Sequence, residues 1–254
     1  MNYNITMLKL SPSKIATYKQ CPFKYKCEID TQTRLAYRKD TPDLVFGNLI
    51  HGCLNDFYKR TKKEDRNFET LRKLFETKFK YSFAKHNKVF KNKETIIKYV
   101  EESKKQFKTF LKNKLSKEEP LVTEDFPKYL LSPELELGGK FDRVDLVNDK
   151  LILIDYKTGK YKEDGQSNFE FQLNFYEYLL TKKYPEYKVG KKILFYLKEN
   201  KIDKYETSDD LSEVENEILD IAETINNDIE LKPRRNSLCN YCDYQQICPI
   251  FKDL

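Results

Sequence analysis

The chain has 254 residues, of which 39% are hydrophobic and 35% charged, and its net charge is only +6. This length suits one large domain or a core with an insertion, and the low count of 7 glycines and 9 prolines argues against a disordered chain. No run of about 18 apolar residues is present and Met1–Leu10 does not resemble a signal peptide, so we expect a cytoplasmic protein without a membrane span.

The first part of the chain is predicted to be helical. Ser11 is a suitable N-cap and Pro12 suits the first helical turn, so a first helix should extend to about Cys21. Apolar residues at helical spacing predict a second helix over about 46–60. We therefore expect two successive helices before residue 61.

Two further apolar stripes at helical spacing occupy about 67–115, with a weak break near 87–93. The segment is highly charged and contains no catalytic pattern. It is interpreted as a helical insertion over 61–118, which would either pack as a cap on the core or cover a substrate channel.

After Pro120 the apolar period changes to that of strands. Two strands joined by a turn at 148–150 are followed by an alternation of helix and strand, which implies a parallel pair with a right-handed crossover and an α/β sheet core. The predicted elements are strands over 135–147 and 151–156, a helix over 168–183, a strand over 193–197 and a helix over 211–226.

The second of these strands ends in an aspartate and a lysine. Side chains alternate along a strand, so Asp155 and Lys157 point to the same face, at the end of four aliphatic residues. Asp142 adds a carboxylate from the neighbouring strand. One or two carboxylates suit Mg²⁺, which activates water and stabilises charge on a phosphate, and a nearby lysine can orient that water. The alternative is a pair of ordinary ion pairs at strand ends.

Three other polar residues fit beside this group. His51 lies four residues after Gly47 in the second helix, where a glycine is costly and indicates close packing. Its imidazole could complete a metal site, although a single helical histidine is more often structural. Gln172 and Tyr176, four residues apart, share one helix face and would either contact the substrate backbone or form a solvated polar stripe.

Taken together, these motifs resemble the RecB-family branch of the PD-(D/E)XK nucleases over nearly the whole chain except about 67–115. The resemblance implies a single nuclease domain over 1–254, with a restriction-endonuclease-like mixed central sheet flanked by helices. The matching motifs are Leu10-Ser11-Pro12-Ser13, Tyr18-x-x-Cys21-Pro22, His51, Gly139-x-x-Asp142-Arg143-x-Asp145, Asp155-Tyr156-Lys157-Thr158-Gly159 and Gln172-x-x-x-Tyr176.

The resemblance also implies the roles of the site residues. His51, Asp142, Asp155 and the main-chain carbonyl of Tyr156 would bind Mg²⁺ or Mn²⁺. The catalytic residues would be Asp142, Asp155, Lys157, Gln172 and Tyr176.

The implied activity is a DNA nuclease, expected to be an exonuclease on single-stranded DNA or DNA ends. The alternative is a non-catalytic DNA-binding partner of a helicase or CRISPR integrase, and the presence of Asp142, Asp155 and Lys157 favours the enzyme. No Gly-x4-Gly-Lys-Ser/Thr loop is present, so any unwinding would need a helicase or other partner.

Three cysteines lie within ten residues near the end of the chain, at Cys239, Cys242 and Cys248. Disulfides are not expected in the cytoplasm, and clustered thiolates favour zinc or an iron–sulfur cluster. Cys21 is the natural fourth ligand, which would close segment 236–254 onto the first helix, and Cys53 is expected in the core. The pattern resembles the iron–sulfur nucleases of the AddB type and the CRISPR-associated RecB-like exonucleases, which implies a four-iron four-sulfur cluster, with zinc as the alternative.

Overall fold

A computed structural model describes residues 7–86, 89–90, 92–161 and 166–252, without the side chains of 166–168 and 252. It contains two sheets flanked by helices, which agrees with the predicted mixed α/β architecture. No helix in these ranges is long and apolar enough to cross a membrane.

Caps and prolines set the starts of the first helices. Ser11 accepts a hydrogen bond from the Lys14 N–H at 3.3 Å, and Thr41 accepts one from the Leu44 N–H at 3.2 Å. The predicted start of the second helix near 46 was therefore too late, because a cap followed by Pro42 begins it earlier. The elements are β1 (Leu8–Leu10), α1 (Pro12–Gln20), α2 (Pro22–Ile29), α3 (Thr31–Tyr37) and α4 (Pro42–Lys59).

The segment predicted to be an insertion, called the insertion below, contains α5 (Phe68–His86) and α6 (Lys93–Lys112), and α6 is capped by the Asn92 side chain. The predicted break agrees with these bounds, although residues 87–88 and 91 of it lie outside the described part. Apolar side chains of α4, α5 and α6 share one core cluster with Ile154 and Tyr156 of the main sheet. The insertion thus covers one face of that sheet.

Seven further strands follow within the described residues: β2 (Pro120–Asp125), β3 (Lys128–Ser132), β4 (Leu135–Gly138), β5 (Phe141–Val147), β6 (Lys150–Lys157), β7 (Lys188–Tyr196) and β8 (Lys201–Tyr205). In the main sheet they have the order β2-β5-β6-β7-β8, and only the β6–β7 pair of this sheet is parallel. The parallel pair around the predicted helix is therefore confirmed. The smaller sheet has the order β1-β4-β3.

The single strand predicted over 135–147 was wrong, because it divides at Gly139 into β4 and β5, which belong to different sheets. A Cβ atom on Gly139 would lie 2.6 Å from Cε1 of Tyr176. The chain can therefore cross under the Tyr176 ring only because residue 139 has no side chain. The hairpin that follows is as predicted, with Asn148 and Asp149 at positive φ in its turn.

The opposite face of the main sheet is covered by α7 (Gln166–Lys183) and α8 (Ser212–Asn227). Along β6, Leu151 and Leu153 join the core beneath these helices, whereas Ile154 and Tyr156 join the core beneath the insertion. This alternation brings Asp155 to the α7 side at the end of the strand. A short helix, α9 (Pro249–Lys252), follows the cysteine-rich segment.

Candidate active site and cysteine cluster

A cleft of about 950 Å³ opens at the end of β6, between α4 and α7. Main-sheet strands and both helices contribute to it, so residues far apart in sequence meet there. Every residue predicted from the sequence as metal-binding or catalytic lines this one cleft. They are His51, Asp142, Asp155, Tyr156, Lys157, Gln172 and Tyr176.

Asp142 joins α4 to the main sheet. Its Oδ1 atom lies 2.8 Å from His51 Nδ1, and its Oδ2 atom accepts a hydrogen bond from the Tyr156 N–H at 2.9 Å. Burial works against ionisation of Asp142, but His51 and the Tyr156 N–H outweigh it and hold the Asp142 pKa below its usual value. Gly47 lets α4 approach, because a Cβ atom there would lie 3.2 Å from Thr158 Oγ1.

Asp155 and Lys157 form the second pair of the cleft, with 2.6 Å between Lys157 Nζ and Asp155 Oδ2. Burial is the main cause that raises the pKa of Asp155, and the Lys157 ammonium only partly opposes it. Oδ2 of Asp155 is buried, and the Lys157 ammonium is the cation that faces it.

Gln172 connects this pair to α7. Its Oε1 atom accepts a hydrogen bond from Lys157 Nζ at 3.3 Å, and its Nε2 atom donates to Asp155 Oδ1 at 3.4 Å and to the Tyr176 hydroxyl at 3.1 Å. The Lys157 ammonium also lies 4.2 Å from the centre of the Phe169 ring. The amide therefore fixes the carboxylate and the ammonium relative to each other.

The donor types in the cleft fit a divalent metal, since two carboxylates and an imidazole suit Mg²⁺ or Mn²⁺. Within the described ranges, however, no group of three or more His, Cys, Asp or Glu side chains is arranged so that it could hold an ion. Asp142 is instead turned toward His51 and Asp155 toward Lys157. His51 and Lys157 thus face the carboxylate oxygens that a divalent ion would contact.

A buried arginine of the same motif, to which the sequence assigned no role, connects the elements behind the cleft. Arg143 is fully buried and holds Asp145 with two hydrogen bonds of 2.6 and 2.8 Å. It also donates to the hydroxyls of Tyr58 at 2.6 Å and Tyr156 at 3.4 Å. The detectable signal was an Arg-x-Asp pair on one face of a strand, at the spacing that places both side chains on the same side.

Sequence reasoning missed one contact from the insertion. Gln106 of α6 is fully buried, and its Nε2 atom donates to the Thr158 carbonyl at 3.0 Å. The insertion thus supports the loop that follows Lys157. A lone glutamine in a charged helix gives no signal from which this contact could be predicted.

The four cysteines predicted as ligands line one small cavity of about 20 Å³. Cys21 Sγ accepts a hydrogen bond from the Arg234 N–H at 3.4 Å, and Cys239 Sγ accepts one from the Asn236 N–H at 3.3 Å. The lining thiols are Cys21, Cys239, Cys242 and Cys248.

Side-chain contacts hold the cysteine-rich segment against the end of α1. Arg234 Nη1 donates to the Lys19 carbonyl at 2.7 Å, and Asn236 Nδ2 donates to the Gln20 carbonyl at 3.2 Å. Cys53 lies fully buried in the α4 core, as predicted. Cys27 is also buried but does not line the cavity, and burial raises its pKa to about 11, with Cys242 adding to the effect.

Comparison with known proteins gives the family context of this site. A family model described as the PD-(D/E)XK nuclease superfamily matches residues 9–249. The B-type subunit of the ATP-dependent helicase/deoxyribonuclease of Clostridium perfringens strain 13 is 29% identical over 194 residues, which cover 63% of this chain and 16% of that protein. The protein of strain SM101 is 28% identical over the same lengths, so the chain spans about a sixth of these relatives.

A solved structure shares the fold. The crystal structure of a putative exonuclease from Eubacterium rectale superposes with a TM-score of 0.56 at 12% identity, covering 95% of this chain and 88% of that one. At this identity the likeness establishes the architecture alone.

Proposed function

Because the chain belongs to the PD-(D/E)XK nuclease superfamily, we propose that it is a metal-dependent deoxyribonuclease that acts on single-stranded DNA or DNA ends. The observation that carries the proposal is the convergence of Asp142, Asp155 and Lys157 in one cleft, with the Asp155–Lys157 pair at 2.6 Å. The matching relatives are components of a helicase/deoxyribonuclease, which supports DNA as the substrate.

In this proposal, Asp142, Asp155, His51 and the Tyr156 carbonyl would hold Mg²⁺ or Mn²⁺. When bound, such an ion would activate water and stabilise the charge of the phosphodiester. Lys157 would then leave Asp155 and contact the water or the phosphate, where its charge opposes the negative charge that develops. The Gln172 amide, which bonds both Lys157 and Asp155, would continue to hold the Asp155 carboxylate.

Lysines along the cleft favour a phosphate backbone. Lys140, Lys157 and Lys160 all line it, and Lys140 pairs with Glu124 at 2.8 Å on its rim. Cationic side chains along a groove attract nucleic acid and make its binding dependent on salt. The cleft thus combines acids for a metal with lysines for the substrate.

A helicase is the partner we propose, because the matching relatives are components of a helicase/deoxyribonuclease. The chain itself contains no phosphate-binding Gly-x4-Gly-Lys-Ser/Thr loop. Unwinding by that helicase would deliver the single strand to this cleft. CRISPR adaptation proteins are the alternative partners.

The test of the proposed function is cleavage of an end-labelled single-stranded oligonucleotide with Mg²⁺ or Mn²⁺ and with EDTA. We expect cleavage only with metal, and its loss in Asp155→Asn and Lys157→Ala. Lys188 and Asp209 form a matched control pair, because they make an exposed ion pair of 2.8 Å. Lys188 lies opposite Lys150 at the start of β6, which is the end of the strand away from the cleft. Lys188→Ala and Asp209→Asn should cleave like the native chain.

Two results would reject this assignment. Cleavage that survives both cleft substitutions would place the chemistry elsewhere. DNA binding without cleavage in any divalent metal would favour the alternative function, a non-catalytic DNA-binding component.

We also propose that the cysteine cavity holds a four-iron four-sulfur cluster that fastens the C-terminal segment to α1. Four thiols on one cavity, two of them accepting backbone N–H bonds, support a thiolate metal centre. Within the described residues these thiols are not arranged as a group that could hold an ion, so a cluster would require them to rearrange.

Metal analysis and the visible spectrum of anaerobically purified protein test this centre. We expect about four irons per chain and visible absorption, both lost in Cys242→Ser. The matched control is Cys53→Ser, a buried thiol outside the cavity, which should keep the iron. A colourless protein with one zinc per chain would replace the cluster by zinc and leave the nuclease proposal intact.

A further inference from the structure

A second cavity, of about 560 Å³, opens beside the active-site cleft between α1 and α7. Phe169, Gln172 and Tyr176 line both spaces, so the two cavities adjoin across these side chains. Its volume lies in the range of small-molecule sites. We call it the α1–α7 pocket, and none of the roles assigned above accounts for it.

The α1–α7 pocket presents an aromatic surface. Phe171 and Phe169 are only partly buried and pack on the core from the edge. Lys19 Nζ lies 4.6 Å from the centre of the Phe171 ring and pairs with Glu217 at 3.1 Å. Both partners of that pair are about half exposed, at 48% and 51%, so water competes with it and little energy holds the lysine over the ring.

The charges of the pocket suit a base better than a phosphate. Among the described residues that line it, Glu170 and Glu217 outnumber the single cation Lys19, whereas three lysines line the adjoining cleft beside four carboxylates, two of which the proposed metal would neutralise. Carboxylates repel phosphate but accept hydrogen bonds from the N–H groups of nucleobases, and an aromatic ring stacks on any base. The two cavities therefore differ in the part of a nucleotide that they can bind.

We infer that the α1–α7 pocket is a nucleobase subsite, in which an unpaired base of the substrate strand stacks on Phe171 while a neighbouring phosphate lies in the cleft. This inference rests on the proposed function for the identity of the strand. A base held in a duplex cannot turn into the pocket, so the subsite selects single-stranded DNA. Gln172, on the boundary of the two cavities, separates the stacked base from the reacting phosphate.

The inference is tested by binding in EDTA, where no cleavage occurs. Fluorescence anisotropy compares a labelled 15-mer of thymidine with a 15-mer of the same sugar-phosphate backbone that lacks all bases. Phe171→Ala should weaken binding of the thymidine strand by about tenfold, because stacking on one aromatic ring contributes roughly that much. Its affinity for the abasic strand, which depends on phosphate contacts alone, should stay as in the native chain.

Two further variants separate the pocket from general effects. Phe126 is 54% exposed and lines neither cavity, so Phe126→Ala should bind both strands normally. Ala16→Leu fills the pocket from an exposed position of α1 and should also weaken only the thymidine strand, even if Phe171→Ala folds poorly. Phe171→Tyr keeps the ring and should bind like the native chain.

Equal weakening of both strands, or no weakening in Phe171→Ala and Ala16→Leu, would overturn the subsite. These results are distinct from a failure of the proposed function. If the protein cleaves no DNA but Phe171→Ala weakens binding of the thymidine strand alone, the subsite is supported and the nuclease proposal fails. If cleavage requires Asp155 but Phe171→Ala weakens neither strand selectively, only the nuclease proposal is supported.

Discussion

The buried Arg143 guanidinium donates a hydrogen bond to the Tyr58 hydroxyl at 2.6 Å, which joins the interior strand β5 to α4 behind the cleft. The same guanidinium reaches the Tyr156 hydroxyl at 3.4 Å, and the Tyr156 N–H in turn holds Asp142 at 2.9 Å. Burial raises the pKa of Tyr156 to about 12, so its hydroxyl stays neutral. A network outside the cleft therefore positions one of its carboxylates.

Removing Arg143 alone should destabilise the fold strongly. Arg143→Met leaves Asp145, which is 2% exposed, without its partner, and unpaired buried charges typically cost about 3–5 kcal/mol. The double variant Arg143→Met with Asp145→Leu should recover much of this loss. Urea unfolding of the two variants measures the difference, and equal stability of the single variant and the native chain would contradict the role given to the pair.

Gly139 should tolerate no side chain. Gly139→Ala places a methyl group 2.6 Å from the Tyr176 ring, and such overpacking costs about 1–3 kcal/mol. Gly159 is the matched control, since a Cβ atom there meets nothing within 4 Å, and Gly159→Ala should unfold like the native chain. Denaturant midpoints compare the two variants. Identical midpoints would show that the ring of Tyr176 moves aside freely.

The amide of Gln172 should matter for turnover more than for folding. Gln172→Leu removes the bonds to Asp155, Lys157 and Tyr176, and loss of such supporting contacts lowers activity by about 10- to 100-fold. Tyr176→Phe removes only the last of these bonds and should have a smaller effect. Single-turnover cleavage rates at saturating metal measure both. A larger loss in Tyr176→Phe would reverse the roles of the two residues.

Asp155 should make the metal-free protein less stable at neutral pH. The pKa of Asp155 is raised in the folded state. Between the ordinary aspartate pKa and the raised value, the folded chain therefore binds more protons than the unfolded chain. The free energy of unfolding falls as the pH rises through that window. Asp155→Asn lacks this effect. In EDTA it should be more stable than the native chain above the window and equally stable below it. Denaturant unfolding across pH checks this, and a variant less stable at neutral pH would contradict it.

The strand that carries Asp155 and Lys157 could be predicted from sequence because its pattern is local. Four aliphatic residues followed by Asp155 and Lys157 define both the strand and the face of its polar end, and the structure agrees. The division at Gly139 was not predictable, because it depends on the distant Tyr176 ring. The sequence also did not predict four strands that are short and lie at a sheet edge or in the smaller sheet, because their apolar residues show no clear alternation. These strands are β1, β2, β3 and β8.

The site residues could be named from motifs, but their present partners could not. His51 was expected to face a metal, and the structure shows it bonded to Asp142, which no motif encodes. Gln106 was missed because its contact with Thr158 depends on how the insertion packs. Helix packing and side-chain pairing are tertiary properties, which explains why sequence reasoning failed for these residues.

The central claim is that Asp142 and Asp155 share one divalent ion in the cleft. Titration of Mn²⁺ followed by electron paramagnetic resonance tests it most directly. The protein used should be one whose iron or zinc content has been determined, so that metal at the cysteine cavity is accounted for. We predict one tight Mn²⁺ in the native chain and in Asp209→Asn, with affinity lowered at least about tenfold in both Asp142→Asn and Asp155→Asn. Native Mn²⁺ affinity in both cleft variants would contradict the claim.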